Sequence, residues 1–156
     1  MATREEIIAG LELTVAQAKR TTATFAPEEW NEKRSMGWTP KELYAHLAAT
    51  AAIVPTFSQG MAAMPEDRDM TAGLDINQMN ETAVSGMRSM TPEQVMQAFE
   101  ANYTKLIDFV KGLPDEQLSL KRRFGPVPMP VSDIIANVVM LHGIHHVYEA
   151  NDRLEI

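Results

Sequence analysis

One four-residue pattern opens three separate segments of the chain. Thr3-Arg4-Glu5-Glu6, Thr39-Pro40-Lys41-Glu42 and Thr91-Pro92-Glu93-Gln94 each place a threonine three residues before a glutamate or glutamine. In that arrangement the threonine hydroxyl accepts from a backbone N–H of the first helical turn, and the longer side chain reaches back to the threonine N–H, so two otherwise orphaned donors are satisfied. Proline directly after Thr39 and Thr91 suits a first helical position, where no N–H is needed. A largely apolar stripe follows each cap at helical spacing: Ile7, Ile8, Leu11, Val15, Ala18 and Phe25; then Leu43, Leu47, Ile53 and Val54, with His46 and Thr50 on the same stripe; then Val95, Phe99, Tyr103, Leu106, Phe109 and Val110. The chain is thereby committed to helices from three fixed starting points.

A fourth helix is expected from Ser132, its cap, to about Arg153, where Ile135, Val138, Val139 and Leu141 recur without an interior proline. The predicted long helices lie near 3–25, 39–59, 91–112 and 132–153, with a short one near 75–88. Pro55 is expected to kink the second and Gly60 to end it. Pro27 is expected to end the first helix before a linker through Trp30 to Trp38, and the run Phe124–Pro130 reads as a stiff, extended approach to Ser132. Between Met61 and Met90 the pattern weakens around Pro65, Glu66-Asp67-Arg68-Asp69 and Gly73. A connection that long does not force its helices antiparallel, so an all-α, up-down-down-up four-helix bundle with a crossover between helices two and three is expected. Met61, Met64, Met70, Met79, Met87 and Met90 in the crossover have two readings, an adaptable apolar pocket or core filler.

At 156 residues and 45% hydrophobic composition, one domain spanning 1–156 can bury a core. No cysteine is present, which excludes a disulfide scaffold, a thiolate zinc site and a catalytic cysteine, and suits a cytoplasmic protein. Met1-Ala2-Thr3-Arg4-Glu5-Glu6 carries acids where a signal peptide turns apolar, and no apolar run approaches the ~20 residues of a membrane span. A net charge of −7 without a basic stripe argues against nucleic acid as a partner. Lys121-Arg122-Arg123 is expected to be a solvated loop, with attraction of an anionic substrate as the alternative.

Three of the four histidines fall within His142-Gly143-Ile144-His145-His146, and the fourth is His46. His142 and His146, four apart, share a helix face, whereas His145 is turned away. Two ligands are too few for a first-row transition metal, and only His46 remains to supply a third imidazole from another helix. Three neutral imidazoles would leave coordination positions open on Zn²⁺, Ni²⁺ or Fe²⁺. The zincin pattern fails because Gly143 follows His142, and a Glu-x-x-His di-iron pattern fails because Glu42 lies four before His46. Gly143 costs roughly 1 kcal/mol in a helix interior, so close approach by a neighbour is its expected reason. Glu149 could orient a histidine ligand or pair with Arg153.

Trp38-Thr39-Pro40 leading to Leu43 and Ala45-His46-Leu47, a mid-chain Asn80, and the closing His142-x-x-His145-His146 together resemble the DinB-like superfamily, which includes the N-terminal domain of mycothiol-dependent maleylpyruvate isomerase. The resemblance implies the up-down-down-up bundle, a divalent metal on His46, His142 and His146, a small-molecule substrate and a homodimer. It also implies transfer or isomerisation chemistry in which a low-molecular-weight thiol is the cosubstrate. The chain stops at Ile156, short of that isomerase's additional C-terminal domain, so the isomerase reaction itself is not expected. A metal-dependent hydrolase and a non-catalytic, metal-braced bundle acting in binding or stress response are the alternative expectations.

Overall fold

A computed structural model of the chain describes residues 1–35 and 37–152, with Ala62 described by its backbone alone. The three capping boxes form as expected and open α1 (Arg4–Thr22), α2 (Pro40–Ala63) and α4 (Pro92–Gly112). Asp75 accepts from Gln78 N–H and starts the short crossover helix α3 (Ile76–Ser85). A five-residue helix, α5 (Asp115–Ser119), precedes an antiparallel hairpin of β1 (Lys121–Phe124) and β2 (Val127–Pro130), turned at Gly125 with φ of 76°. The chain then enters α6 (Val131–Ile135), continues without leaving helical backbone through a π-helical segment (Ala136–Leu141), and finishes in α7 (His142–Ala150).

The fold is an all-α bundle whose small hairpin stands outside its core. Ile7 and Leu11 of α1, Leu43 and Leu47 of α2, Phe99 and Leu106 of α4, and Ile134 and Ile135 of α6 are all fully buried together. Cross-helix pairs fix the relative directions. Ala2 N–H donates to Asp133 Oδ1, Gly10 faces Met140, and Gly143 faces Thr14, so α1 and the last helix run the same way. Lys41 meets the Arg88 carbonyl and Asn102 the Ala48 carbonyl, so α2 and α4 also run together. Arg4 at one end of α1 reaches the Leu113 carbonyl while Lys19 at the other pairs with Glu100, which sets α1 against α4. These pairings agree with the expected up-down-down-up order.

Several local expectations are corrected. Gly60 does not end α2, which continues through Pro55 to Ala63. Ser132 is not a cap: the helix starts a residue earlier after Pro130, and the Ser132 hydroxyl is buried without a partner among the described residues. Lys121-Arg122-Arg123 is a strand and not a loop, and Arg122 is only 8% exposed. Its guanidinium donates to the Met61 carbonyl at 2.6 Å, a second donor to an acceptor at the end of α2 that also takes the Met64 N–H. The linker before α2 contains a 3₁₀ turn (Pro27–Asn31). Ile53, expected in the core stripe, is 48% exposed. Of the crossover methionines, Met61 and Met70 are buried and Met64, Met87 and Met90 pack against the core, so filler is the main role; Met79 is 43% exposed and lines a cavity.

Gly143 has the neighbour its cost demanded. A Cβ there would lie 2.6 Å from the Tyr103 hydroxyl and 3.0 Å from Thr14 Cγ2, and Tyr103 is itself fully buried. Gly143→Ala should therefore destabilise the protein by about 1–3 kcal/mol in urea unfolding, the overpacking cost exceeding the helix-propensity gain. Tyr103→Phe in the same chain should recover part of the loss, and a Gly143→Ala protein as stable as the parent would contradict the packing argument.

Candidate metal centre

α2 carries His46 on its buried side, 4% exposed, as the apolar stripe requires. α7 presents His142 and His146 one turn apart, both half-buried. The three rings meet through their Nε2 atoms: His46 to His142 at 3.1 Å and His146 to His142 at 3.0 Å. One imidazole Nε2 carries either a proton or a lone pair. His142 Nε2 therefore cannot make good hydrogen bonds to both neighbours at once, whereas a cation placed among the rings would accept all three lone pairs. Metal–nitrogen bonds of about 2.0–2.1 Å hold two ligand nitrogens no more than about 4.2 Å apart, and both measured separations fall inside that limit. The donor set thus fits a divalent transition metal.

Electrostatics keep the rings neutral, the form that binds a metal. Burial first, then the neighbouring His142 and His146, lower the pKa of His46 to about 3. Burial, His146 and His145 lower that of His142 to about 4. His146 is lowered by burial, against an opposing hydrogen bond and charge from Glu149. Glu149 is 6% exposed, and its Oε2 lies 2.8 Å from His146 Nδ1. A proton on Nδ1 donated to that carboxylate fixes the tautomer whose lone pair sits on Nε2. Of the two roles open to Glu149, orientation of His146 is the one seen; the alternative partner, Arg153, lies outside the described residues.

The surroundings add what sequence spacing does not reveal. Trp38 stacks on His146, with centroids 6.4 Å apart and planes 14° from parallel, and meets His46 edge-on at 5.1 Å. It is held there by a turn in which Gly37 takes φ of 89° and Arg34 N–H donates to the Trp38 carbonyl. Arg34 is buried, bonds the Ala150 carbonyl at 3.0 Å, and so secures the C-terminal end of α7. The π segment immediately before His142 was also unforeseen, and no residue type in Ala136–Leu141 announces it. His145 is exposed and outside the three-nitrogen cluster, as expected, although with His146 and Glu149 it forms a second group of ligand-type atoms. Asn80 lies apart from the imidazole cluster and lines the adjoining cavity.

The depressed values fix a pH dependence for the metal-free protein. Folded-state pKa values below the ordinary 6.5 mean that the unfolded chain takes up protons which the folded chain refuses. Stability from this source is complete above about pH 6.5 and declines as pH falls toward 3–4. Between pH 7 and pH 5 the loss should be of order 1–2 kcal/mol per histidine. Chelator-treated protein followed by urea unfolding should show the decline, and His46→Asn/His142→Asn should flatten it; an equally steep profile in the variant would assign the effect elsewhere.

The sequence matches the DinB superfamily across residues 4–150. No curated protein matches it. Among solved structures, the mycothiol-dependent maleylpyruvate isomerase is similar at a TM-score of 0.74 and 14% identity, covering 97% of this chain and 62% of that one. The chain thus spans less than two thirds of that isomerase's length. YfiT from Bacillus subtilis, described as a probable metal-dependent hydrolase with an unusual four-helix bundle topology, is similar at a TM-score of 0.71 and 16% identity, covering 96% of this chain and 86% of that one. The colibactin self-resistance protein ClbS, solved in complex with a double-stranded DNA, is similar at a TM-score of 0.76 and 9% identity, covering 97% and 94%. At these identities the likeness is one of fold. The expectation of no nucleic-acid partner stands on the net charge of −7 and the lack of a basic stripe, and no comparison bears it out.

Proposed function

The chain belongs to the DinB superfamily, and from that premise we propose that it is a divalent-metal-dependent enzyme that activates a low-molecular-weight thiol for transfer to, or isomerisation of, a small electrophile. The observation that carries the proposal is the meeting of three neutral imidazole nitrogens from two helices, a cluster that among the described residues supplies three ligands and no fourth. Catalytic sites characteristically keep a position open, whereas bracing sites fill their shell with protein groups. His46, His142 and His146 would hold the ion, as zinc, nickel or iron. Bound there, it would lower the pKa of a thiol or water and so supply a nucleophile near neutral pH. Glu149 would hold the proton on His146 Nδ1 and strengthen that ligand, while Trp38 would shield the site from one side. The thiol comes from solution in this reading because the chain has none. A second reading, hydrolysis with water in place of the thiol, is supported by the likeness to YfiT.

Protein purified without a histidine tag should carry close to one equivalent of transition metal by elemental analysis. His46→Ala, His142→Ala and His146→Ala should each lose it, Glu149→Ala should weaken binding about 10–100-fold, and His145→Ala should retain it. Cobalt-substituted protein titrated with mycothiol, bacillithiol or glutathione should develop a sulfur-to-metal charge-transfer band. Metal retained without such a band from any thiol would favour the hydrolase reading; no metal at all would end both.

A cytoplasmic homodimer completes the proposal. Leu13, Leu141 and Tyr148, exposed at 49%, 54% and 76% on α1 and the last helix, supply apolar surface that pairing could cover. Light scattering at micromolar concentration should give twice 17.4 kDa, and the monomer mass would remove the dimer.

A further inference from the structure

Beside the imidazoles lies a cavity of about 320 Å³, bounded by α2, the crossover helix α3, β1 and the last helix, with His46 and His142 in its wall. Four large apolar side chains around it are left open to solvent: Ile53 at 48%, Leu74 at 42%, Ile76 at 48% and Met79 at 43%. Phe57 and Phe124, edge-to-face at 6.3 Å, form a deeper apolar wall. Exposed apolar groups gathered around one concave opening mark a place where something else covers them.

The polar groups narrow the occupant. Among the described residues no lysine, arginine, aspartate or glutamate lines the cavity. Thr50, Thr71 and Asn137 each spend a hydrogen bond inside the protein, on His46 O, Asp69 Oδ1 and Asp133 O respectively. The Asn80 amide makes none among the described residues, although it faces the same space. In the metal-free protein an anionic ligand would surrender its hydration here and meet no cationic side chain among the described residues, whereas an apolar body with one neutral polar group would be matched. A cavity of about 150 Å³ takes a single benzene ring, so this one takes a fused bicycle or a ring with a short chain.

We propose that this cavity binds the substrate, an uncharged molecule whose ring-sized apolar body lies between Ile53 and Met79, with its polar group toward Asn80 and its reactive end against His46 and His142. The proposal rests on the enzymatic reading above for the word substrate, but the cavity's preference for neutral apolar ligands is measurable without metal or turnover. The probes are 2-naphthol and naphthalene-2-sulfonate, which share a skeleton and differ in charge, titrated into chelator-treated protein and followed by imidazole NMR resonances. One equivalent of 2-naphthol should bind and shift the resonances of His46 and His142 while leaving exposed His145 in place. The sulfonate should bind at least tenfold more weakly. Met79→Asp and Ile76→Asp, both at half-exposed positions and so without consequence for folding by circular dichroism, should each weaken 2-naphthol at least tenfold. Equal binding of the two probes, no binding of either, or indifference to both variants would overturn the proposal. His46→Ala protein, unable to hold metal, should still bind 2-naphthol. Naphthol binding in a protein that never carries metal would sink the enzymatic reading and leave the cavity's selectivity standing, and a metal-loaded protein blind to naphthol would do the reverse.

Discussion

The close approach of α7 to α1 and α4 at Gly143 is the contact on which the site depends. With Thr14 and the Tyr103 hydroxyl packed where a side chain would otherwise stand, the last helix sits deeper than any residue but glycine allows. Gly10 repeats the device from the other side, giving its space to Met140. Because interiors are close-packed and transmit displacement, a shift of α7 outward by even part of a methyl group would carry His142 and His146 away from His46 on α2. Two glycines that lower local helix stability thus set the distance at which three imidazoles meet.

Rotation is set by a different feature. A π-helical turn accommodates an extra residue relative to an α-helix, so everything after Ala136–Leu141 is turned relative to Val131–Ile135. α6 can then bury Ile134 and Ile135 in the general core while α7 directs its histidines at α2. Val138 and Asn137, within the widened turn, line the cavity, and Val138 packs against the core as well. The helix therefore serves packing at one end and the site at the other without a break in its backbone.

How much of this was readable from residues alone follows the range of each interaction. Caps are decided within four residues, and Thr3, Thr39 and Thr91 start their helices as expected. The pairing of His142 with His146 is a property of one helix, and the burial of His46 follows from its apolar stripe. Ser132, by contrast, carries a good capping residue type, yet Pro130 and the hairpin deliver the chain already turned, so its hydroxyl is buried instead. Arg122 looked solvated because its partner, the Met61 carbonyl, is 61 residues away. The stacking of Trp38, the anchoring by Arg34 and the π turn escaped notice for the same reason: each is fixed by tertiary contacts with α7 or α1 that no local period encodes.

Charge balance links the histidines to the cavity. Three neutral imidazoles would leave the double positive charge of a bound ion uncompensated by its own ligands, and the nearby anion is Glu149, which acts through His146. In a poorly solvated setting such an excess of positive charge is best relieved by an anion at the open position, which favours ionised thiol or water over the neutral form. Among the described residues the cavity wall beyond His46 and His142 has no charge of either sign to compete with that anion or to screen it. Field from the ion would then fall on whatever carbon a neutral ligand presents there. On the proposed function, an apolar lining and an incomplete, uncharged ligand set would be two parts of one electrostatic arrangement.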